Sequence, residues 1–238
     1  MTLGNNVFSG LETKRHPRRE QALDQVIGFG PLGILAILII LGGNFIITPL
    51  SAVLVLIWVK LSGIPWPEIG YVRPRSWTKT ILIGIAFGVA SKFTLKALVM
   101  PLFGAPPVNQ AYRFVTGNSA VIPWMLYASI VTAGFGEETF YRGWMFERLV
   151  KLLGQSTGAK IAIILITTIL FASVHYPEQG LPGVEQACIT GLVFGSIFVV
   201  TGRIFMLMIA HAAFDLTALW IIYYGFETQI AHLIFKSR

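Results

Sequence analysis

A chain of 238 residues that is 55% hydrophobic and only 12% charged, with a mean hydropathy of +0.71, carries about half the charge of a soluble globular domain, where about 25% is usual. Its net charge of +7 does not signal a nucleic-acid partner. The Lys and Arg residues fall mainly in loops beside apolar segments, where cytoplasmic topology and anionic lipid account for them, and no basic–aromatic interleaving marks a soluble element. Apolar runs of roughly 17 residues or more recur, each able to cross a ~30 Å hydrocarbon core as a helix. The expected fold is all-α: a polytopic transmembrane helical bundle of about seven to eight spans. The single cysteine, Cys188, excludes an internal disulfide framework and lacks neighbours at metal-ligand spacing.

In chain order, residues 1–25 include Lys14, Arg15, Arg18 and Arg19 and read as a cytoplasmic basic tail rather than a cleavable signal. Residues 26–238 form a single transmembrane domain. No charge separates Asp24 from Lys60. The 60–79 loop is basic (Lys60, Arg73, Arg75, Lys79), so an even number of crossings should divide it from the tail. This predicts a tight hairpin broken near Gly42-Gly43-Asn44. Trp66 and Trp77 are placed as interfacial anchors. A third span covers about 80–101, with Gly84-x3-Gly88 allowing close helix packing. Lys92 and Lys96 share one face of it and are expected to snorkel or pair internally, with a contact to substrate as the alternative.

An extracytoplasmic loop over 102–120 precedes a long helix of about 122–150, and a basic turn from Arg148 to Lys160 returns to the cytoplasm. Span five covers about 160–176, followed by an outer loop, Tyr176 to Gly183. Span six covers about 184–201, with Gly191-x3-Gly195. Span seven, about 204–224, ends in the aromatic belt of Trp220, Tyr223 and Tyr224. The segment to Arg238 reads as an interfacial helix. The whole describes a multi-pass protein of the plasma (inner) membrane with a cytoplasmic N-terminus.

Three polar clusters interrupt this apolar company: Glu137-Glu138-x3-Arg142, Phe171-x3-His175 and His211-x3-Asp215. Charge within a bilayer-length segment costs several kcal/mol unless it is paired or faces a polar cavity, so it is a functional hypothesis by default. Counted from the nearest basic boundary at 1.5 Å per residue, Glu137 lies about 16 Å deep, His211 about 12 Å and His175 about 22 Å. Three helices thus bring ionisable groups to similar depth. Glu138 and Arg142, at i, i+4, can form an ion pair. Glu137, turned about 100° away, is free to face a cavity as a general base on water. His175 can hold the same water or shuttle its proton. Asp215, at i, i+4 from His211, can orient the imidazole, whose other nitrogen then stabilises an oxyanion. Water activation with oxyanion stabilisation describes acyl hydrolysis. Phe171 reads by default as core packing, with a substrate-binding contact as the alternative.

At these residues the chain resembles the CPBP family of CAAX proteases and bacteriocin-processing (Abi) enzymes, whose signatures are Glu-Glu-x3-Arg, Phe-x3-His and His-x3-Asn/Asp. The resemblance covers about 122–218 and includes the type II CAAX prenyl endopeptidases. It implies an intramembrane endopeptidase with Glu137 activating water, His175 assisting, and His211 and residue 215 stabilising the oxyanion. Position 215 is Asp where the prenyl endopeptidases have Asn; an ionised Asp cannot donate to an oxyanion, so it must be protonated, act through His211, or mark another substrate branch. The family has also been described as metalloproteases. Glu137, His175 and His211 are the candidate ligands for zinc, which needs three ligands and an open position, although no cofactor is the favoured reading. The expected partners are a membrane-associated peptide or protein, prenylated in the CAAX case, and the lipid bilayer. Two other readings stand beside the protease: a non-catalytic immunity or peptide-binding membrane protein on the same scaffold, and a proton-coupled transporter.

Overall fold

The computed structural model describes residues 28–46 and 48–235. The expected basic tail and the final residues, Lys236 to Arg238, lie outside the described residues. Among those described there is no strand. Helices α1 (Pro31–Ile46) and α2 (Thr48–Ser62) are short. They are followed by α3 (Trp77–Leu102), α4 (Ser119–Leu153), α5 (Thr157–Ser173), α6 (Tyr176–Thr201), α7 (Phe205–Tyr223) and the short α8 (Glu227–Ala231). Four of these, α3, α4, α6 and α7, are long and apolar enough to cross a membrane, while α1, α2 and α5 are shorter apolar helices.

The break between α1 and α2 falls after Ile46 rather than at Gly42-Gly43-Asn44. The glycines stay helical, and Gly43 lets the two helices meet: a Cβ there would stand 2.7 Å from Leu54 Cδ1. Elsewhere local chemistry sets the boundaries. Ser76 and Ser156 cap α3 and α5, accepting hydrogen bonds from the Lys79 and Ala159 N–H groups. The anticipated outer loop from Tyr176 to Gly183 is instead one turn of helix, a kink, and the resumption of α6. Gly180 makes the kink at φ 61°, ψ −157°, a backbone state that glycine tolerates and other residues avoid.

The small-residue motifs serve as anticipated. A Cβ on Gly88 would lie 2.1 Å from the Ala210 carbonyl oxygen, and one on Gly84 2.8 Å from Ile209 Cγ2. Gly134 of α4 approaches α7 from the other side, where a Cβ would stand 2.8 Å from the Met208 carbonyl oxygen. Helix α7 is thereby held between α3 and α4 at backbone contact distance. This clamps the turn carrying His211 against the glutamates of α4.

The bundle has two unlike ends. Lys60, Arg73, Arg75, Lys79, Arg148, Lys151, Lys160 and Arg203 gather where α2, α4 and α6 finish and α3, α5 and α7 begin. There Glu147 pairs with Lys151 and, at 2.5 Å, with Arg148, whose guanidinium lies 4.4 Å from the Trp58 ring. The loop at this end is tied to α4 by Tyr71, whose hydroxyl sits 2.8 Å from Thr139 Oγ1. Burial pushes the Tyr71 phenol up to about 12. The opposite end carries the 103–118 loop, the α5–α6 junction and α8.

Candidate active site

From Ala128 to Met145 the backbone of α4 is a π-helix, bonded i→i+5. This is a feature rare in general and frequent at functional sites, and the hydrophobic pattern of the sequence did not announce it. At more than four residues per turn, the angle between neighbouring side chains falls below the ~100° of an α-helix. Glu137 and Glu138 therefore address the same imidazole.

Glu138 is fully buried. Its Oε1 accepts from Arg142 Nη1 at 3.0 Å and from His211 Nδ1 at 2.7 Å. Glu138 Oε1 is thus shared between the Arg142 guanidinium and the His211 ring. The other imidazole nitrogen, Nε2, faces Glu137 Oε2 at 3.6 Å. Glu137 retains 17% exposure of its side chain, and its buried Oε2 has no hydrogen-bond partner. The result is a line of groups: Arg142, Glu138, His211, Glu137.

Phe171 is 2% exposed and central to the packing around this line. The Arg142 guanidinium stacks over it at 4.5 Å, and the His175 and His211 rings meet it edge-on with centroids at 4.7 and 6.0 Å. Phe194 of α6 adds a second ring 5.7 Å from His211. His175 does not sit within its span. Helix α5 ends at Ser173, and His175 closes it: Nδ1–H donates to the Phe171 carbonyl at 2.7 Å, satisfying an orphan helix-end acceptor. Its Nε2 is left as the free acceptor. The shared depth inferred from the sequence therefore holds for Glu137 and His211, while His175 lies toward the 103–118 end.

Asp215 is close enough to act on the His211 imidazole electrostatically but does not hydrogen-bond it. The imidazole nitrogen expected to bond it is occupied by Glu138, and Asp215 makes no hydrogen bond or ion pair among the described residues. The sequence missed this because i, i+4 spacing guarantees a shared face but not that a nearer acid from another helix is absent. It also missed two groups from the far end. Tyr112 accepts a hydrogen bond from Gln179 Nε2 at 3.3 Å. Burial, reinforced by the charges of Asp215, Glu178 and Glu137, pushes its phenol up to about 12. Glu227, buried in α8, receives Lys96 Nζ at 3.2 Å and the Asn109 N–H at 2.8 Å. An acid in an otherwise apolar tail was the available signal for that pair.

The zinc reading was tested on the donor set. Among the described residues no three His, Cys, Asp or Glu side chains converge on a point that could hold a metal ion. Glu137, His175 and His211 as placed do not fit the ion.

A helical bundle with membrane-length apolar helices thus encloses a line of carboxylate and imidazole groups. The comparison with known families is specific at this point. Residues 118–217 match the family described as Type II CAAX prenyl endopeptidase Rce1-like, the same segment that carries the three motifs. No curated protein and no solved structure matches the chain.

Proposed function

We propose that the protein is an intramembrane endopeptidase that hydrolyses a peptide bond of a membrane-associated substrate, with Glu137 as the general base. The observation that carries this reading is the placement of Glu137: a partly accessible carboxylate with an unpartnered oxygen, facing an imidazole oriented from behind by an acid–arginine pair. Glu138 Oε2 is also unpartnered but its side chain is fully buried, whereas Glu137 is partly accessible. Glu137 takes a proton from water as its oxygen adds to the carbonyl carbon. The C–N bond then breaks, and the proton passes to the leaving amine. His211, anchored through Nδ1–H to Glu138, acts as the imidazolium and donates from Nε2–H to the developing oxyanion. His175 Nε2 is the second acceptor for the attacking water. Arg142 holds Glu138 in place through its hydrogen bond, and Phe171 packs against the rings. Asp215 shapes the field without touching His211.

The family match supports a prenylated CAAX-type chain as the substrate class. The test is reconstitution in liposomes with a farnesylated peptide bearing three residues after the cysteine, with products identified by mass. Release of the C-terminal fragment by wild type and not by His211→Ala supports the reading. Sequestration of intact peptide by both proteins would favour the binding or immunity module instead.

A further inference from the structure

The 103–118 connection between α3 and α4 divides into two halves that are held in different ways. The second half is fixed by packing. Val115 is fully buried against Leu219 and Ile222 of α7, and the Gly117 N–H donates to the Tyr223 carbonyl at 3.0 Å. Tyr112 takes its hydrogen bond from Gln179, whose backbone N–H bonds the His175 carbonyl at 3.0 Å. In the first half, residues 106–110 include no buried residue. Among the described residues, their polar ties beyond the loop itself run through two side chains. Lys96 of α3 donates to the Pro107 carbonyl at 2.6 Å, and Glu227 of α8 receives the Asn109 N–H at 2.8 Å. Lys96 and Glu227 also pair with each other at 3.2 Å, with 13% and 5% of their side chains exposed. A single carboxylate oxygen, Glu227 Oε1, takes both the ammonium and the amide.

A segment kept in place by apolar burial resists opening, because that surface must be returned to water. A segment held by polar contacts exchanges them for water, and such regions lie at the low end of local stability. Pro106 and Pro107 fix their own φ angles and stiffen the strap. Gly104, at φ 73° with nothing within 4 Å of where a Cβ would stand, gives it a turning point. Its inner side, with Pro106, Val108 and Asn109, forms one wall of a cavity of about 450 Å³ whose other walls come from α3, α6, α7 and α8. We propose that residues 106–110 are a gate on this cavity, latched by the Lys96–Glu227 pair, and that the cavity exchanges with the exterior when the latch parts. The inference goes beyond the protease reading and does not depend on it. Through Tyr112 and Gln179 the fixed half of the loop reaches the α5–α6 junction that carries His175, so the gate stands beside the far end of the polar site.

The experiment measures access to the cavity with a bulky hydrophilic maleimide, on the full-length protein in nanodiscs and in a Cys188→Ser background. Ala218→Cys places a thiol on the α7 wall, and Gln110→Cys, exposed at the end of the strap, reports unhindered reaction. With the latch intact, Ala218→Cys should react at least ~10-fold more slowly than Gln110→Cys, and its rate should level off as reagent is raised, because opening becomes the slow step. Lys96→Met and Glu227→Gln should each raise the Ala218→Cys rate by ~10-fold or more, the worth of one charge-assisted contact, and leave Gln110→Cys unchanged. Glu227→Gln keeps the shape of the latch and serves if Lys96→Met does not fold. Three results would overturn the proposal: Ala218→Cys reacting as fast as Gln110→Cys without levelling off, no reaction at any reagent concentration, or a rate unmoved by loss of the latch. The comparison with the latch intact decides for or against a gate without any latch variant. No substrate enters the measurement, so an absence of peptide cleavage would remove the enzyme and leave the gate, whereas a freely open cavity would remove the gate and leave the enzyme.

Discussion

Glu138 and Glu137 are neighbours in sequence, yet their replacement should have opposite consequences. Glu138 is the counter-charge of Arg142, at 3.0 Å, and both side chains are within 2% of full burial. Glu138→Gln keeps the size and one acceptor oxygen but strands the guanidinium. Removing one partner of a buried pair costs about 3–5 kcal/mol. At about 2–4 °C per kcal/mol for a chain of this length, the melting midpoint should fall by roughly 6–20 °C. Glu137 makes no hydrogen bond and stands 3.6 Å from His211, so Glu137→Gln should move the midpoint by no more than about 2–4 °C, the equivalent of ~1 kcal/mol. The assay is tryptophan-fluorescence melting in detergent at one fixed scan rate, which keeps irreversible unfolding comparable. Adding Arg142→Met to Glu138→Gln should recover part of the loss, because the stranded charge is then gone. A Glu138→Gln midpoint no lower than that of Glu137→Gln would refute the assignment of Glu138 to the buried pair.

Helix α7 is clamped at Gly88, so Gly88→Ala should cost about 1–3 kcal/mol by driving a methyl into the Ala210 carbonyl, whereas Gly42→Ala, with nothing within 4 Å, should be neutral or stabilising in the same melting assay. In a Cys188→Ser background, Arg75→Cys at the basic end should react with an impermeant maleimide only from the cytoplasmic face, and Gln110→Cys in the 103–118 loop only from the other. Labelling of Gln110→Cys from the cytoplasmic face would reverse this orientation. Because the donor set does not converge, peptide cleavage should survive strong chelator. Loss of activity together with stoichiometric release of zinc would contradict that geometry.

The apolar runs made the bundle legible, and Gly84-x3-Gly88 announced the tight α3–α7 crossing, because close backbone approach demands small residues wherever it occurs. The Glu138–Arg142 pair was equally plain, since i, i+4 contacts are local. What could not be read was tertiary choice. His211 had two acids within conceivable reach, and only packing decides that Glu138 bonds it while Asp215 does not. The π-helical stretch of α4 left no mark on the hydrophobic period, yet it sets both glutamates toward one ring. The end of α5 was misplaced by a few residues because His175 continues the apolar run while its side chain caps the helix. Lys92 and Lys96 look alike in sequence; Glu227, about 130 residues further on, separates their roles.

The central claim is that a carboxylate from α4 and an imidazole from α7 act together on one water inside the bundle. Its most direct test is the rate of farnesyl-peptide hydrolysis by wild type and Glu137→Gln, reconstituted side by side and matched in melting midpoint. The account predicts a loss of at least ~10²–10⁴-fold, the usual worth of a general base. Hydrolysis by Glu137→Gln at a rate close to wild type would contradict it.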